Sequence, residues 1–308
     1  MCSADRMASS TSNSDITAHE RFVGIEKAEE LLKGIIIPPR PAVLVGVLEE
    51  QARPDPDLTK IGDLIASDVA LAASTLKVVN SPFFGLRRKV GSVHHAVSLL
   101  GVSNIVHIVT GLMLHTAFRD EKNPFMNEYW TKTNRIALVS ALVARTYTDV
   151  APEEAYTTGL FLDCGIPLLL RRFKNYPDVY RDATSQTERP MIVVEDELLG
   201  TDHTLAGLLV ARSWALPDAI CQCVLRHHDT VDLFSRPNQN HSSWLSLLAI
   251  SLVSQQLAAE VEGQTESFEW RELGSAIRSY MGLNDEALED LRKQVLQSAA
   301  TATSRIMG

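Results

Sequence analysis

The amino-acid sequence predicts an all-α protein, and three observations lead to that prediction. Apolar residues recur at spacings of three and four through most of the chain, which is the period of a helix with one buried face. Residues that cap helices, such as Asp68 and Ser92, stand immediately before apolar stretches. Between residues 41 and 118 no run has the length of a strand bounded by turns. We therefore expect two packed helical subdomains, over residues 25–120 and 125–302.

The first subdomain is predicted to contain about five helices. A helix over residues 41–51 follows a proline-stiffened turn, and two short helices in LTKIGDLIASDVALAASTLKVVN meet at Asp68. Ser92 begins a helix that stops at Gly101, because glycine readily adopts the backbone conformation of a helix end. Ser103 is expected to cap the next apolar helix, NIVHIVTGLMLHTAF.

A turn between these helices, SPFFGLRRK, is expected to be compact, because proline and glycine determine its backbone conformation. Its two phenylalanine side chains are expected to pack into a neighbouring groove. We interpret it as a structural joint that follows the end of a helix. The residues of this joint are Asn80, Ser81, Phe83, Phe84 and Gly85. The cations that follow, Arg87, Arg88 and Lys89, form a cluster too small to indicate nucleic-acid binding.

The second subdomain begins after the charged, proline-containing connection FRDEKNPFMN. A long helix is predicted in YWTKTNRIALVSALVARTY, and Pro152 begins another. An Asp202 cap precedes TDHTLAGLLVARSW, and further helices are predicted in PDAICQCVLRHH, SWLSLLAISLVSQQLAAE and DEALEDLRKQVLQSAATATSRI. Residues 1–20 are polar and have too little apolar surface to offset the entropy of ordering, so we expect a disordered tail.

Charge and composition limit the classes of partner. The chain has 29 Lys and Arg against 38 Asp and Glu, a net charge of −9, and no basic block offsets it, so nucleic-acid binding is disfavoured. The longest apolar run, over residues 159–170, is shorter than the roughly 20 residues that a membrane-spanning helix needs. The N-terminus has no apolar signal segment, and the four cysteines lack zinc-ribbon spacing. We expect a cytoplasmic protein with reduced thiols.

Side chains that could support chemistry lie in the second half of the chain: Asp163, His203, His227 and His228. Asp163 interrupts the apolar stretch LFLDCGIPLLL, and burying an unpaired carboxylate is costly, so it requires a partner. That partner is either a metal ion or a histidine, or else Asp163 accepts hydrogen bonds from backbone N–H groups at a helix end. The histidines near helix ends also have an interpretation without function, since the helix dipole favours cations there.

An ordered series of motifs resembles a known family. DVALAASTLKVVNSPFFGLRRKVGSVHHAVSLLGVSNIVHIV contains an acid-led apolar helix, the VNSPFFG turn, a serine-led helix ending in LLG and a further apolar helix. This series resembles the N-terminal signature of HDOD domains, which are HD-related output domains. The similarity continues through GLFLDCGIPLLL and GTDHTLAGLLVARSWALPDAICQCVLRHH, roughly over residues 35–258. It implies an HD-like helical bundle preceded by an HDOD-type N-terminal helical subdomain.

The resemblance also implies a degenerate metal site. Active HD and HD-GYP phosphohydrolases hold metal with a histidine, a His-Asp pair, further histidines and a late aspartate. Here Lys132 stands at the first histidine position, and Leu162 stands where the pair has its histidine; neither residue can serve as a ligand. The surviving polar cluster consists of Asp163, His203, His227 and His228. We expect no metal there; any single metal would be held by Asp163, His203 and His227.

Two functions follow from the resemblance. The first is a non-catalytic bacterial signalling module, a stand-alone adaptor that binds a protein partner or a small ligand and needs no cofactor. On this hypothesis no residue is catalytic, and neither nucleic acid nor a membrane is a partner. The second is a divergent metal-dependent phosphohydrolase acting on a nucleotide or cyclic dinucleotide. The first is favoured because a two-metal centre needs ligands on both metals.

Overall fold

The computed structural model describes residues 26–186, 188–228, 230, 233–234, 243–264 and 266–304. Every regular element in these residues is a helix, and no strand occurs among them, so the all-α prediction is confirmed. The predicted disordered tail over residues 1–20 lies outside the described part of the chain.

Among residues 26–118 the structure has six α-helices, five of them after residue 41 as predicted. Their bounds are 26–31 (α1), Ala42–Gln51 (α2), Leu58–Ala66 (α3), Val69–Val79 (α4), Val93–Leu100 (α5) and Val102–Phe118 (α6). The Asp68 side chain caps α4 by accepting from Leu71 N, and Ser92 caps α5 by accepting from His95 N. The prediction for Ser103 is wrong: α6 already begins at Val102, after Gly101 with φ of +82°, and Ser103 lies inside the helix.

The turn between α4 and α5 contains a short 3₁₀ helix, Pro82–Phe84. Phe83 and Phe84 are both buried, and Phe84 contacts the ring of Tyr156 edge to face at a centroid distance of 5.8 Å. Ser81 caps the 3₁₀ helix, and Gly85 ends it in the left-handed conformation at φ of +67°. The turn is therefore anchored through its aromatic side chains.

The second half adds ten helices within the described residues. Their bounds are Pro124–Tyr147 (α7), Pro152–Phe161 (α8), Ile166–Arg172 (α9), Tyr176–Ser185 (α10), Met191–Leu199 (α11), His203–Ser213 (α12), Asp218–Arg226 (α13), Ser243–Val261 (α14), Phe268–Met281 (α15) and Asp285–Ser304 (α16). The sequence analysis did not identify α10, α11 or α15, and two of these three supply carboxylates to the candidate site.

The core is organised around the pair α7 and α8, with α6 packed on α8 and α14 packed on α7. Gly159 permits this packing, because a Cβ at that position would lie 2.8 Å from the Ala137 Cα. One apolar cluster includes both Phe118 and Met126, residues on either side of the predicted subdomain boundary. The division into subdomains over residues 25–120 and 125–302 stays a prediction.

One described helix, at Trp244–Val261 within α14, is long and apolar enough to cross a membrane by length and composition. It is longer than the run over residues 159–170 that the sequence analysis took as the longest. Most of this helix is buried inside the protein, where it packs against α7, α13 and α15. In this fold it is a core helix.

Candidate functional site

The structure brings the four predicted side chains into one cluster. Asp163 lies in the turn between α8 and α9, His203 is the first residue of α12, and His227 and His228 follow α13. One potential ligand atom from each residue lies within 4.8 Å of the others. His203 and His227 are fully buried, whereas the Asp163 side chain keeps 15% of its surface accessible. The cluster is thus mostly buried, and Asp163 is the most exposed of its four side chains.

A glycine contact positions Asp163 against α12. A Cβ at Gly165 would overlap the carbonyl oxygen of His203 and lie 2.5 Å from the backbone N of Gly207. The Cys164 thiol donates a hydrogen bond to the Gly207 carbonyl oxygen at 3.5 Å. Only glycine allows the turn to approach α12 this closely, and the approach brings Asp163 to His203.

Replacing Gly165 with alanine is therefore expected to destabilise the protein by about 1–3 kcal/mol or more, the usual cost of overpacking. The inserted methyl group meets backbone atoms, which cannot rotate away. Gly91→Ala is a matched control, since a Cβ there has no neighbour within 4 Å. Urea denaturation of both variants measures the effect. Equal stability of G165A and G91A would contradict the tight contact.

A residue that the sequence analysis missed, Glu195 on α11, supports His203. Its Oε2 accepts a hydrogen bond from Nδ1 of His203 at 2.6 Å and another from the His203 backbone N at 3.0 Å. Its Oε1 accepts from the hydroxyl of Tyr176 at 2.5 Å. Glu195 is fully buried, and its spacing of four residues from buried Leu199 is the sequence signal that could have identified it.

The two buried histidines have opposite pKa shifts. Burial alone would lower the pKa of His203, but the carboxylates of Glu195 and Asp163 raise it to about 9. Burial and the neighbouring His228 lower the pKa of His227 to about 4, against the opposing effect of Asp163. Nδ1 of His227 donates to the Val224 carbonyl oxygen at 2.9 Å. In the metal-free protein at neutral pH, His203 is therefore protonated and His227 is neutral.

Three atoms converge on one point. Nε2 of His227 lies 3.1 Å from both Nε2 of His203 and Oδ1 of Asp163, and the remaining distance, from His203 to Asp163, is 3.6 Å. Because Nδ1 of each histidine faces an acceptor, each Nε2 faces the other two atoms. Ligands about 2.0–2.2 Å from a tetrahedral zinc lie about 3.3–3.6 Å apart, close to these separations. The three side chains therefore fit a single divalent cation. Glu195 would then accept a hydrogen bond from Nδ1 of His203, the ring nitrogen that does not face the cation.

His228 connects the cluster to the C-terminal helices. Its Nδ1 donates to Oε1 of Glu269 on α15 at 2.6 Å, and its ring lies 4.3 Å from the His227 ring between centroids. Burial would raise the pKa of Glu269, but His228 lowers it to about 2. Glu269 lies just after the start of α15, a helix that was not predicted from the sequence, so this hydrogen bond was also missed.

Lys132 and Leu162, which the resemblance expects at two histidine positions of an HD-type site, have side chains that do not bind metal here. Nζ of Lys132 on α7 donates to the Tyr180 hydroxyl at 3.3 Å. Tyr180, and to a smaller extent Asp163, raise the pKa of Lys132, so its ammonium group has no free lone pair. Leu162 is 1% exposed and belongs to an apolar cluster. Neither residue adds a metal ligand to Asp163, His203 and His227.

Comparison with known families identifies the family of this chain. A family model for the HDOD domain matches residues 37–230, which include the VNSPFFG turn and all four clustered residues. The chain belongs to the HDOD domain family. This assignment confirms the resemblance drawn from the motifs and the expectation of an HD-related helical fold.

A similar protein is an uncharacterized protein of Treponema pallidum (strain Nichols), 28% identical over 199 residues. The alignment covers 63% of this chain and 38% of the relative, so the HDOD chain matches less than half of that protein.

Solved structures share the HDOD fold. An HDOD domain protein of unknown function from Geobacter sulfurreducens is 21% identical, with a TM-score of 0.69 over 92% of this chain and 98% of its own. A candidate signal transduction protein from Marinobacter aquaeolei VT8 is 20% identical, with a TM-score of 0.66 over 95% of this chain and 66% of its own. A candidate metal-dependent phosphohydrolase from Shewanella amazonensis SB2B is 19% identical, with a TM-score of 0.63 over 92% and 99%. At these identities the likeness concerns the fold alone.

Proposed function

We propose that this HDOD chain is a non-catalytic signalling module that binds a protein partner or a small ligand. The observation that supports this proposal best is the incomplete ligand set. Asp163, His203 and His227 converge, whereas Lys132 and Leu162, at two positions where the resemblance expects histidines, add no metal ligand. Two-metal phosphoester hydrolysis requires ligands on both metals, and the Lys132 ammonium group disfavours a second cation near Asp163.

The remaining cluster has a structural role on this proposal. Asp163, His203, Glu195 and Tyr176 lie on four different segments of the second half of the chain and form a continuous hydrogen-bonded and ionic network. Satisfied buried networks of this kind hold helices in a defined arrangement. A scaffold of fixed shape is what a module that recognises a partner requires.

A divergent metal-dependent phosphohydrolase is the second candidate, and a specific observation favours it. Nδ1 of both buried histidines faces an acceptor, so their Nε2 atoms and Oδ1 of Asp163 present the geometry of three metal ligands. A divalent cation bound there would lower the pKa of a coordinated water and supply a hydroxide nucleophile.

Metal analysis and hydrolysis assays distinguish the two candidates. We expect the purified protein, supplied with manganese, iron or zinc, to leave a cyclic dinucleotide, a nucleoside triphosphate and bis(p-nitrophenyl) phosphate unhydrolysed. Asp163→Asn should reduce stability without changing any rate. His95→Ala, at an exposed position, serves as the control variant. Hydrolysis by the parent and by H95A that is lost in both D163N and H203A would overturn the signalling proposal.

A further inference from the structure

The loop between α4 and α5 is held at both ends and in its middle. The Asn80 side chain accepts from the Val90 backbone N at 2.7 Å and donates to the Val90 carbonyl oxygen at 2.8 Å, which closes residues 81–89 into a loop. Inside this loop Phe83 and Phe84 are buried, and the turn packs against α7 and α16. A loop anchored in this way presents its exposed residues in a defined position, which lowers the entropic cost of binding.

The exposed side of the loop is basic. Arg87, Arg88 and Lys89 are consecutive and exposed, and Arg145, near the end of α7, is also exposed. Nη1 of Arg145 lies so close to Gly85 that a Cβ at Gly85 would overlap it. We call these four cations, Arg87, Arg88, Lys89 and Arg145, the basic patch. Gly85 thus allows both the left-handed turn and the approach of Arg145.

The basic patch has no ion partner within the described residues. The ion pairs there engage other cations, such as Lys60 with Glu50 and Arg292 with Glu260, and none engages a member of the patch. The chain as a whole has a net charge of −9, so the sign of the basic patch is opposite to that of the protein. Such a group attracts anionic ligands and orients them before contact.

We propose that the basic patch docks an acidic segment of a partner protein. Arginine guanidinium groups bind carboxylates in a bidentate manner, and three of the four patch residues are arginines. A duplex or an anionic membrane presents a large negative field that the net charge of −9 opposes, whereas a short acidic segment contacts the patch alone. This inference rests on the proposed signalling function and specifies the chemistry of its partner.

The test uses the full chain and a fluorescein-labelled deca-glutamate peptide, with binding followed by fluorescence anisotropy. The triple variant R87E/R88E/K89E should weaken binding by about tenfold or more, and R145Q by a smaller factor, since charge complementarity is lost. The control variant K33E/K122E/K174E makes the same change in net charge at three other exposed lysines without ion pairs in the described residues, and should bind like the parent. Added salt should weaken binding by the parent. Circular dichroism checks that each variant is folded.

Three results would overturn the docking surface: no binding of deca-glutamate by the parent, equal losses in the two triple variants, or tighter binding of duplex DNA or phosphatidylglycerol vesicles than of the peptide. Hydrolysis in the phosphodiester assay would overturn the signalling function whatever the peptide result. Loss of the docking surface without hydrolysis would leave the signalling function standing. The docking surface and the signalling function can therefore be rejected independently of each other.

Discussion

Replacing Glu195 with alanine is expected to lower the free energy of unfolding by about 3–5 kcal/mol, the cost of removing one partner of a buried ion pair. Glu195 and His203 are both fully buried, and Glu195 accepts two hydrogen bonds from His203 and one from Tyr176. Without the carboxylate, the imidazolium of His203 and the Tyr176 hydroxyl lose their buried acceptor. Urea denaturation of the protein treated with a chelator measures the change.

Glu197→Ala is the matched control for this prediction. Glu197 lies on the same helix, its side chain is largely exposed, and it pairs with exposed Arg189. Surface ion pairs contribute about 0–1 kcal/mol, so E197A should resemble the parent. Equal stability of E195A and the parent would show that Glu195 does not hold a charged His203.

The same ion pair predicts a pH dependence. The pKa of His203 is raised from 6.5 to about 9, so its contribution to stability is complete below about pH 6.5 and is lost as the pH rises toward 9. In Glu195→Gln the amide keeps the size of the side chain but not its charge. The difference in unfolding free energy between the parent and E195Q should therefore be larger at pH 6 than at pH 9. A difference that is constant with pH would contradict a protonated His203.

Truncation of the anchoring aromatic residues is expected to have an effect of similar size. Phe84→Ala should lower the free energy of unfolding by about 3–5 kcal/mol, and Phe83→Ala by a similar amount, because each removes a buried ring and leaves a cavity. Phe84 packs on the ring of Tyr156, whereas Phe83 belongs to a second apolar cluster that includes α7 and α14 residues. The turn therefore joins two parts of the core.

Ile36→Ala is the control for the aromatic variants, because Ile36 is 79% exposed and its truncation leaves no cavity. Thermal unfolding followed by circular dichroism compares the three variants with the parent. If F83A and F84A melt like I36A, the aromatic pair contributes little to the core. A contact with a partner would then explain these side chains better.

Local patterns in the sequence were sufficient to predict most helices, because a helix depends on the spacing of apolar residues and on caps within a few positions. Asp68, Ser92 and Asp202 cap helices as their positions predict. Helices α10, α11 and α15 were not predicted. The apolar residues of α11 do not form one regular face, whereas the buried residues of α10 and α15 do recur at spacings of three and four and could have indicated these helices. The prediction for Ser103 failed because a residue type that often caps helices lies here inside a helix, which already begins after Gly101.

The sequence by itself determined the all-α fold, the HDOD resemblance and the residue types of the candidate cluster, since these follow from order and spacing along the chain. Only the tertiary structure decided that Asp163, His203 and His227 converge at 3.1–3.6 Å, and that Glu195 and Glu269 stand behind two of the histidines. The physical reason is that the charge and tautomer of each histidine depend on its burial and on the partner groups that other helices supply. His203 and Glu269 are 66 residues apart in the chain, yet both belong to one network because helices far apart in sequence pack together.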